Sequence, residues 1–344
     1  MGWLRRTLFH SIRLLGGFAL AQHLTRKQLR ILCYHGFSAT DEHVVNPYVF
    51  MRTQTFERRL RILQRRKIPV LSLEDAIKRL RAGTISTAET VITFDDGWAS
   101  NLAVMPILQR FAYPVCIYIT TEHLSAGTEA FNVAVFHLMH ATHKGQITIR
   151  DIHPAIDGEY LIAAQPKAAA AELVGRAEAI RSLAERQRLL PPLAAALGVD
   201  FAEFLNGGRF RFLSGAEIKK ISMLGASIQL HTHTHNLPTD NFNSMAEEIE
   251  RNRGAVEALT GKQALHFCYP SGQYSERQPD WLSQLGIISA TTCDPGFNDA
   301  DSPRLLLKRY LDSEATTDIE FEAEIAGVRE LLRRARSRLR SLLG

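Results

Sequence analysis

The sequence has few cysteines, and none of them are paired in a C-x-x-C motif. Its 344 residues contain four, Cys33, Cys116, Cys268 and Cys293, each within an apolar run. A zinc ribbon, a redox-active dithiol and a disulfide framework need closer spacing or more cysteines, so the sequence argues against all three. We therefore interpret these residues as buried free thiols, which behave as small core side chains.

The sequence also lacks an apolar run long enough to cross a membrane. Its most apolar N-terminal stretch, residues 14–21, is much shorter than the roughly 20 residues that a spanning helix needs. Arginines precede this stretch, as in a signal peptide, but its apolar part is short. Apolar side chains share one helical face at Leu4, Leu8, Ile12 and Leu15. We therefore predict that residues 1–28 form an amphipathic helix on a membrane or on the domain. This favours a membrane-associated or cytoplasmic protein over a secreted one.

Aromatic and basic residues are not interleaved in the manner of proteins that bind single-stranded nucleic acid. The formal net charge of +5 arises mostly from the two ends of the chain, so we predict no nucleic-acid partner. At the C-terminal end, residues 319–344 combine an apolar stripe of helical period with a cluster of arginines. This segment is predicted to be a basic amphipathic helix, which either binds an anionic lipid surface or packs on the fold.

Between these ends, short apolar runs typical of strands alternate with segments of helical period. Alternating strands and helices predict a parallel sheet, and seven or eight such units predict a barrel. The strand candidates lie at residues 31–34, 69–73, 91–94, 115–120, 227–230, 265–269, 287–292 and 305–311. Capping boxes are predicted at Ser214 with Glu217 and at Ser244 with Glu247, and Gly261 marks a helix end.

Residues 122–212 interrupt the alternation. Much of this stretch is rich in Ala, Leu, Arg and Glu, and it contains no clear strand–helix unit. We predict a largely helical insertion in a loop of the barrel, acting as a lid, as a wall of a substrate groove or as a partner surface. The barrel domain, with this insertion, is predicted to span residues 29–318.

Polar residues cluster directly after several predicted strands. Asp95 and Asp96 follow one strand, the H-T-H-T-H string at residues 231–235 follows another, residues 270–272 follow a third, and His35 follows the first. In a barrel of this kind the loops after the strands share one face, which holds the active site. We therefore expect these four clusters to converge, although they are spread over more than 200 residues of sequence.

These clusters contain the residue types of a metal-dependent hydrolase. One carboxylate and two imidazoles are a common ligand set for a divalent metal with open positions, and the second carboxylate can then serve as a base on water. Neighbouring side chains point in opposite directions on an extended backbone. The two aspartates can address one site only if the loop turns sharply, and Gly97 permits that turn.

Three strings, T-F-D-D-G at residues 93–97, H-T-x-x-H at 231–235 and F-x-Y-P-x-G at 267–272, resemble the motifs of a known family. This is the polysaccharide deacetylase family of the NodB-homology group, carbohydrate esterase family 4. The resemblance covers about residues 29–312 apart from the insertion. It implies an α/β fold, an irregular (β/α)7-type barrel, which here carries a helical insertion and amphipathic helical ends.

The resemblance also implies roles for individual residues. Asp95 would be the general base that activates the attacking water, and the N–H of Ser271 would help to stabilise the oxyanion formed at an N-acetyl carbonyl. His233 would line the pocket or support the ligands from behind, without binding the metal. The ligands of the divalent metal, usually Zn²⁺, would be Asp96, His231 and His235.

Two departures from the family pattern concern proton transfer. Where many members carry an arginine that orients the catalytic aspartate, this sequence has Cys268, and we predict Arg309 as the substitute. The late L-x-H motif, whose histidine protonates the leaving amine, is absent from residues 305–311. Because some subfamilies use a histidine in the Y-H position, we predict His35 as the general acid, with a structural role as the alternative.

The sequence thus predicts a bacterial hydrolase that removes N-acetyl groups from an amino-sugar polysaccharide of an exopolysaccharide or cell wall, or from a glycolipid-linked sugar. Its partners would be that carbohydrate and a membrane surface reached by the terminal helices. Two alternatives remain open: a deformylase or other amide hydrolase acting on a lipid-linked sugar, and a non-catalytic carbohydrate-binding protein on the same fold. The sequence indicates no oligomeric state.

Overall fold

The computed structural model describes residues 2–125, 129–163, 165–180 and 182–343. The strands are β1 (Arg30–Tyr34), β2 (Gly36–Ser38), β3 (Phe50–Arg52), β4 (Thr90–Phe94), β5 (Cys116–Ile119), β6 (Gln146–Ile149), β7 (Gly158–Leu161), β8 (Ser227–Leu230), β9 (His266–Cys268), β10 (Ser289–Thr291) and β11 (Tyr310–Leu311). The helices are α1 (Gly2–Leu14), α2 (Gly17–Leu24), α3 (Glu42–Val45), α4 (Thr53–Arg65), α5 (Leu73–Arg81), α6 (Met105–Phe111), α7 (Phe131–Ala141), α8 (Pro166–Ala177), α9 (Leu183–Arg188), α10 (Leu190–Leu197), α11 (Phe201–Phe204), α12 (Gly215–Met223), α13 (Phe242–Thr260), α14 (Gln278–Gln284), α15 (Asp318–Ile325) and α16 (Val328–Leu343).

Seven of the strands form one parallel sheet, in the order β10-β9-β8-β5-β4-β1-β11. The segment before β11 joins the two edges of this sheet, because Leu307 bridges to Thr291 of β10 while Tyr310 pairs with Leu32 of β1. Every residue of β1 and β4 is buried, as expected for parallel strands with both faces covered. The predicted α/β class and irregular (β/α)7-type barrel are confirmed.

One of the predicted strands is wrong. Within residues 69–73 only Val70 forms a bridge, to Thr90, and α5 begins at Leu73. The Ser72 side chain accepts a hydrogen bond from the Asp75 N–H and so caps α5, which ends the extended backbone. The structure also contains a short parallel pair, β2 with β3, which the sequence analysis missed because three-residue strands show no clear period.

The insertion at residues 122–212 is only partly helical. It contains α7 to α11, but also an antiparallel hairpin of β6 and β7. Buried and exposed residues alternate in β6, yet four residues are too few for this pattern to stand out in the sequence. The apolar residues of the insertion form a hydrophobic cluster of their own, which includes Phe50 of β3 and Trp98. The insertion is therefore packed against loops that include Trp98, which follows the carboxyl end of β4.

Each end of the chain forms two helices instead of the single helix predicted. At the N-terminal end, α1 and α2 meet at Gly16, whose φ is 75°. At the C-terminal end, α15 and α16 are separated by Gly327, whose φ is 87° and whose lack of a side chain allows Thr25 to approach. Helix α15 is buried and acidic, so the basic amphipathic character is confined to α16. Among the described helices, none combines the length and the apolar character that crossing a membrane requires.

Helix capping agrees with the sequence at one of the two predicted boxes. Ser214 and Glu217 form the reciprocal hydrogen bonds that open α12. The box at Ser244 is wrong, because α13 begins at Phe242 and Asn241 accepts the hydrogen bond from the Ser244 N–H. Asparagine is as good a cap as serine, so the two starts could not be separated from the sequence. Gly261 ends α13 with φ 67°, as predicted.

Candidate active site

Three of the predicted site residues form a compact group at the carboxyl ends of β4 and β8. Asp96 Oδ1 lies 3.3 Å from His231 Nε2 and 3.4 Å from His235 Nε2. Two ligand atoms that each lie about 2 Å from one tetrahedral ion are roughly 3.3 Å apart. His231 is buried, whereas His235 is partly open to solvent. The residues present therefore fit a divalent metal such as Zn²⁺, with room left on the exposed side.

The backbone is strained at these residues. Asp96, Thr232 and His235 have φ angles of 72°, 64° and 60°, in the left-handed region that residues other than glycine rarely adopt. Such conformations cost about 1–3 kcal/mol each and cluster at functional sites. Gly97 is left-handed too, and a Cβ there would lie 2.9 Å from Ile119 Cγ2. The turn that the sequence analysis assigned to Gly97 thus depends on the absence of a side chain.

Neighbouring groups orient the His231 ring. Its Nδ1 lies 2.8 Å from the carbonyl oxygen of Cys268, which leaves the lone pair on Nε2, the atom facing Asp96. The His231 backbone N–H donates to Asn252 Oδ1 at 3.0 Å, and Asn252 Nδ2 donates to the Ile119 carbonyl. Asn252 lies on α13 and could not be predicted from the sequence, because a single asparagine in a helix matches no motif.

Asp95 is held by a buried arginine. Arg309 Nη1 donates to Oδ1 at 2.7 Å, and Nη2 donates to Oδ2 at 2.8 Å. The thiols of Cys33 and Cys268 each lie 3.4 Å from Oδ2. Burial raises the pKa of Asp95, but the charge and the hydrogen bonds of Arg309 outweigh burial and hold it at about 2. The sequence-predicted substitute, Arg309, therefore contacts the aspartate that it was expected to orient.

His35 and His233 are placed differently. One ring nitrogen of His35 lies within 4.8 Å of both the Asp95 carboxylate and the Cys33 sulfur. His233 lies outside the group of three ligands, because its Nδ1 is 2.9 Å from Thr121 Oγ1 and its backbone N–H donates to a glutamate on α13. The structure thus brings His35 close to Asp95, the predicted base, and places His233 beside the segment that follows β5.

A cavity of about 830 Å³ opens beside two of the three predicted ligands, Asp96 and His235. Asp96, His235 and Ser271 lie in its lining, and the insertion supplies much of its wall, including Phe131 and Arg186. This volume is within the range of known ligand pockets. Of the three roles considered for the insertion, its position favours a wall of a substrate groove.

A stack of three rings connects the insertion to a predicted metal ligand. His123 stacks on Phe212 with 3.9 Å between ring centroids, and Phe212 stacks on Trp98 at 4.9 Å. Trp98 Nε1 donates a hydrogen bond to Asp96 Oδ2 at 2.9 Å. Burial lowers the pKa of His123 to about 4, so its ring is neutral at pH 7. No motif marks these residues, because their contacts join segments far apart in the sequence.

Comparisons with known proteins match part of the sequence to one family and the fold to several solved structures. The family model described as "Polysaccharide deacetylase" matches residues 169–289, a range that contains His231, His235 and Ser271. No curated protein sequence matches the chain.

Several solved structures share the fold. The Streptococcus pyogenes deacetylase PplD, solved with acetate, is 15% identical, with a TM-score of 0.58 over 87% of this chain and 98% of its own. IcaB from Ammonifex degensii is 16% identical, with a TM-score of 0.55 over 88% and 97%. A de-N-acetylase from Aggregatibacter actinomycetemcomitans is 13% identical, with a TM-score of 0.54 over 86% and 98%.

Proposed function

We propose that this chain, of which residues 169–289 match the polysaccharide deacetylase family model, hydrolyses N-acetyl groups on an amino-sugar polysaccharide or a glycolipid-linked sugar, with a divalent metal ion, most simply Zn²⁺. The observation that carries this proposal is the group of Asp96, His231 and His235 beneath a cavity of about 830 Å³. One carboxylate and two imidazoles, with solvent on one side, are the ligand set of an open catalytic metal site.

The metal site would be held and tuned by the chain's own contacts. A bound divalent ion polarises an amide carbonyl and makes water a better acid. His231 would bind through Nε2, because its Nδ1 faces the Cys268 carbonyl. Asp96 would bind through Oδ1, because its Oδ2 accepts the Trp98 hydrogen bond. These contacts determine which atom of each residue would be left to face the ion.

Asp95 serves as the base in this proposal. The Arg309 ion pair keeps its carboxylate ionised at neutral pH, so it can accept a proton from the attacking water. Oδ2 already faces Arg309 and two thiols, whereas Oδ1 accepts from Arg309 alone among the residues near it that the structure describes. We therefore assign the proton-accepting atom as Oδ1. The two hydrogen bonds from Arg309 also prevent the carboxylate from rotating.

The remaining steps need a proton donor and an oxyanion site. Attack of water on the N-acetyl carbonyl carbon gives a tetrahedral oxyanion, and cleavage of its C–N bond then releases acetate and a free amine. His35, within 4.8 Å of Asp95, would protonate the departing nitrogen. Ser271, in the cavity lining, would donate its backbone N–H to the oxyanion. Acetate, the product expected here, is the molecule bound to the S. pyogenes deacetylase.

The same site chemistry would cleave other small amides, of which an N-formyl group on a lipid-linked sugar is the second candidate. The observation that favours this candidate is the exposed apolar surface of α1 and α2. A protein that contacts a membrane through this surface would lie close to sugars that are linked to lipid. Acetate and formate are distinguishable products, so one assay separates the two candidates.

The test is product release from a panel of substrates. Zinc-loaded protein would be incubated with chitin-like, peptidoglycan-like and glucosamine-polymer oligomers in N-acetyl and N-formyl forms. We expect acetate from at least one class, loss of that activity on chelation, and recovery on adding Zn²⁺. Turnover that survives complete metal removal, or no acid release from any substrate by metal-loaded protein, would contradict the proposal. Formate release without acetate release would select the second candidate.

A further inference from the structure

We propose that the outer surface of α1 and α2, with the basic cavities beside it, docks on an anionic lipid bilayer. We call this surface the N-terminal face and define it by Trp3, Leu4, Leu8, Leu14, Leu15, Leu20 and Leu24 together with the cavity-lining residues Arg13, Arg26, Arg65, Arg66 and Lys67. None of these residues lines the catalytic cavity, so the proposal stands apart from the proposed reaction.

The inner sides of α1 and α2 are fixed to the fold. Phe9, Phe18 and Ala21 are buried in a small cluster with residues of α15 and α16. Arg5 forms an ion pair with Glu320, and acidic residues of α15 also hold other arginines of this region. The orientation of both helices, which contact each other, is therefore set, and their opposite sides face outward.

The outward side of α1 and α2 carries exposed apolar side chains, at positions where a helix facing only water usually carries polar ones. The side chains of Leu14 and Leu15 are 84% and 87% exposed, and Trp3 is 73% exposed. On α2, Leu20 and Leu24 stand one helical turn apart and are also exposed. Contiguous exposed apolar side chains of this size mark surfaces that meet a membrane or a partner. Leucine and tryptophan on the outer face of an amphipathic helix are typical of helices that lie in the membrane interface.

A basic cavity borders this apolar surface. Its volume is about 960 Å³, and Glu322 is the one carboxylate in its described lining. The basic residues that line it are Arg13, His23, Arg26, Arg65, Arg66 and Lys67. A second cavity of about 690 Å³ shares Arg13, Arg65 and Glu322 with the first, and its lining adds four arginines and the carboxylates of Glu314 and Asp318. Cationic concavities of this kind attract phosphate groups.

The cavity and the apolar surface are adjacent on α2. Ala19 and His23 of α2 line the cavity. Leu20 is the residue after Ala19, and Leu24 is the residue after His23, so each exposed leucine lies on the adjacent side of the helix. In the part of the chain that the structure describes, no carboxylate forms an ion pair with Arg26. Residues 1–30 contain no Asp or Glu at all. Phosphate head groups in the cavity and acyl chains against the leucines would therefore be reached together.

An anionic bilayer is the one occupant that explains both features. A soluble phosphate compound would account for the cations and leave the apolar side chains in water. A neutral apolar partner would account for the leucines and leave a cluster of arginines uncompensated. A membrane containing anionic lipid supplies both negative charge and an apolar layer, and binding of this kind weakens as salt screens the charges.

The experiment is co-sedimentation of the full chain with lipid vesicles. Vesicles of phosphatidylcholine alone would be compared with vesicles that also contain phosphatidylglycerol, at low and at high salt. We expect binding only with phosphatidylglycerol, and weaker binding at high salt. The double variant Arg26→Ala/Lys67→Ala should bind about tenfold or more weakly, since each cation near an anionic surface contributes about a factor of five. The matched control for charge is Lys219→Ala/Lys220→Ala on α12, which should bind like the wild type.

The apolar half of the surface has its own variants. The double variant Leu14→Gln/Leu15→Gln should bind vesicles about tenfold or more weakly, because each leucine buried in the bilayer contributes to the affinity. The control is Leu161→Gln/Met223→Gln, at exposed apolar positions elsewhere, which should bind like the wild type. Circular dichroism would verify that each variant is folded. Equal binding to both vesicle types, no binding to either, or variants that bind like the wild type would overturn the proposal. Inorganic phosphate that binds the protein while vesicles do not would reassign the cavity to a soluble anion.

Discussion

Arg309 and Asp95 form a buried ion pair with hydrogen bonds of 2.7 and 2.8 Å. Removing one partner of such a pair leaves an uncompensated buried charge, which costs about 3–5 kcal/mol. We therefore expect Arg309→Met to lower the free energy of unfolding by that amount and Arg309→Lys to lower it by less, because lysine keeps the charge but loses the two-pronged contact. Chemical denaturation of both variants measures this. Equal stability of Arg309→Met and the wild type would show that the pair is not buried as described.

His35 is the proton donor that the account requires. It lies within 4.8 Å of Asp95, and amide hydrolysis needs a proton on the departing nitrogen. We expect His35→Ala to retain metal and fold but to lose about 10²–10⁴-fold in turnover, the usual contribution of a positioned acid. Acetate release, with metal content as the control, measures this. A near wild-type rate would make His35 structural and leave the acid to another group.

Trp98 is expected to act through Asp96 rather than on the substrate. Trp98→Phe removes the N–H that donates to Asp96 Oδ2 at 2.9 Å but keeps a ring for stacking on Phe212. Loss of such a supporting hydrogen bond typically weakens metal affinity about 10–100-fold. Zinc titration against a competing chelator measures this, with Trp281→Phe as the matched control. Unchanged zinc affinity in Trp98→Phe would contradict a positioning role.

At the scale of elements, the start of α12 joins the insertion to the barrel through charge. Glu217 accepts hydrogen bonds from Arg211 at 2.6 and 2.9 Å and closes the capping box with Ser214. The Arg211 hydrogen bonds come first among the causes that lower the pKa of Glu217 to about 2. A pKa that is depressed in the folded state stabilises the protein above the unfolded value of 4.5 and loses that contribution as the pH falls toward 2.

The pair therefore makes a testable contribution to stability. We expect Glu217→Gln to lower the free energy of unfolding by about 1 kcal/mol at pH 7, a value reduced for partial solvent exposure. The difference from the wild type should shrink between pH 4.5 and pH 2, because Glu217 of the unfolded chain binds a proton in this range while the folded carboxylate stays ionised until about pH 2. Urea unfolding across this pH range measures it. A difference that stays constant down to pH 2 would show that packing, not charge, is responsible.

Elements with a strong local signal were predicted well, and elements set by tertiary contacts were not. The buried strands β1, β4 and β5 stand out because each is mostly apolar, and β8 stands out because apolar Ile228 and Leu230 alternate with polar residues. Residues 69–73 have the same composition, but the Ser72 cap converts their end into α5. Helix α15 was merged with α16 because both are rich in charge. Only the packing of α1 on α15 and the turn at Gly327 separate them.

For the whole molecule, the sequence located the site because residues of one reaction face follow parallel strands. Asp96, His231 and His235 could be named from motifs, and their predicted convergence is what the structure contains. Asn252, Trp98 and the His123–Phe212 stack could not be named, because each acts through a contact between segments distant in sequence. Supporting residues of this kind depend on the fold and carry no motif.

The central claim is that one divalent ion is held by Asp96, His231 and His235 while Asp95 stays outside the ligand set. The most direct measurement is the zinc content of purified wild-type, Asp95→Asn and Asp96→Asn proteins after dialysis against the same zinc buffer. We predict about one equivalent in the wild type and in Asp95→Asn, and little in Asp96→Asn, since only Asp96 lies between the two imidazoles. Full zinc retention by Asp96→Asn, or its loss from Asp95→Asn alone, would contradict the account.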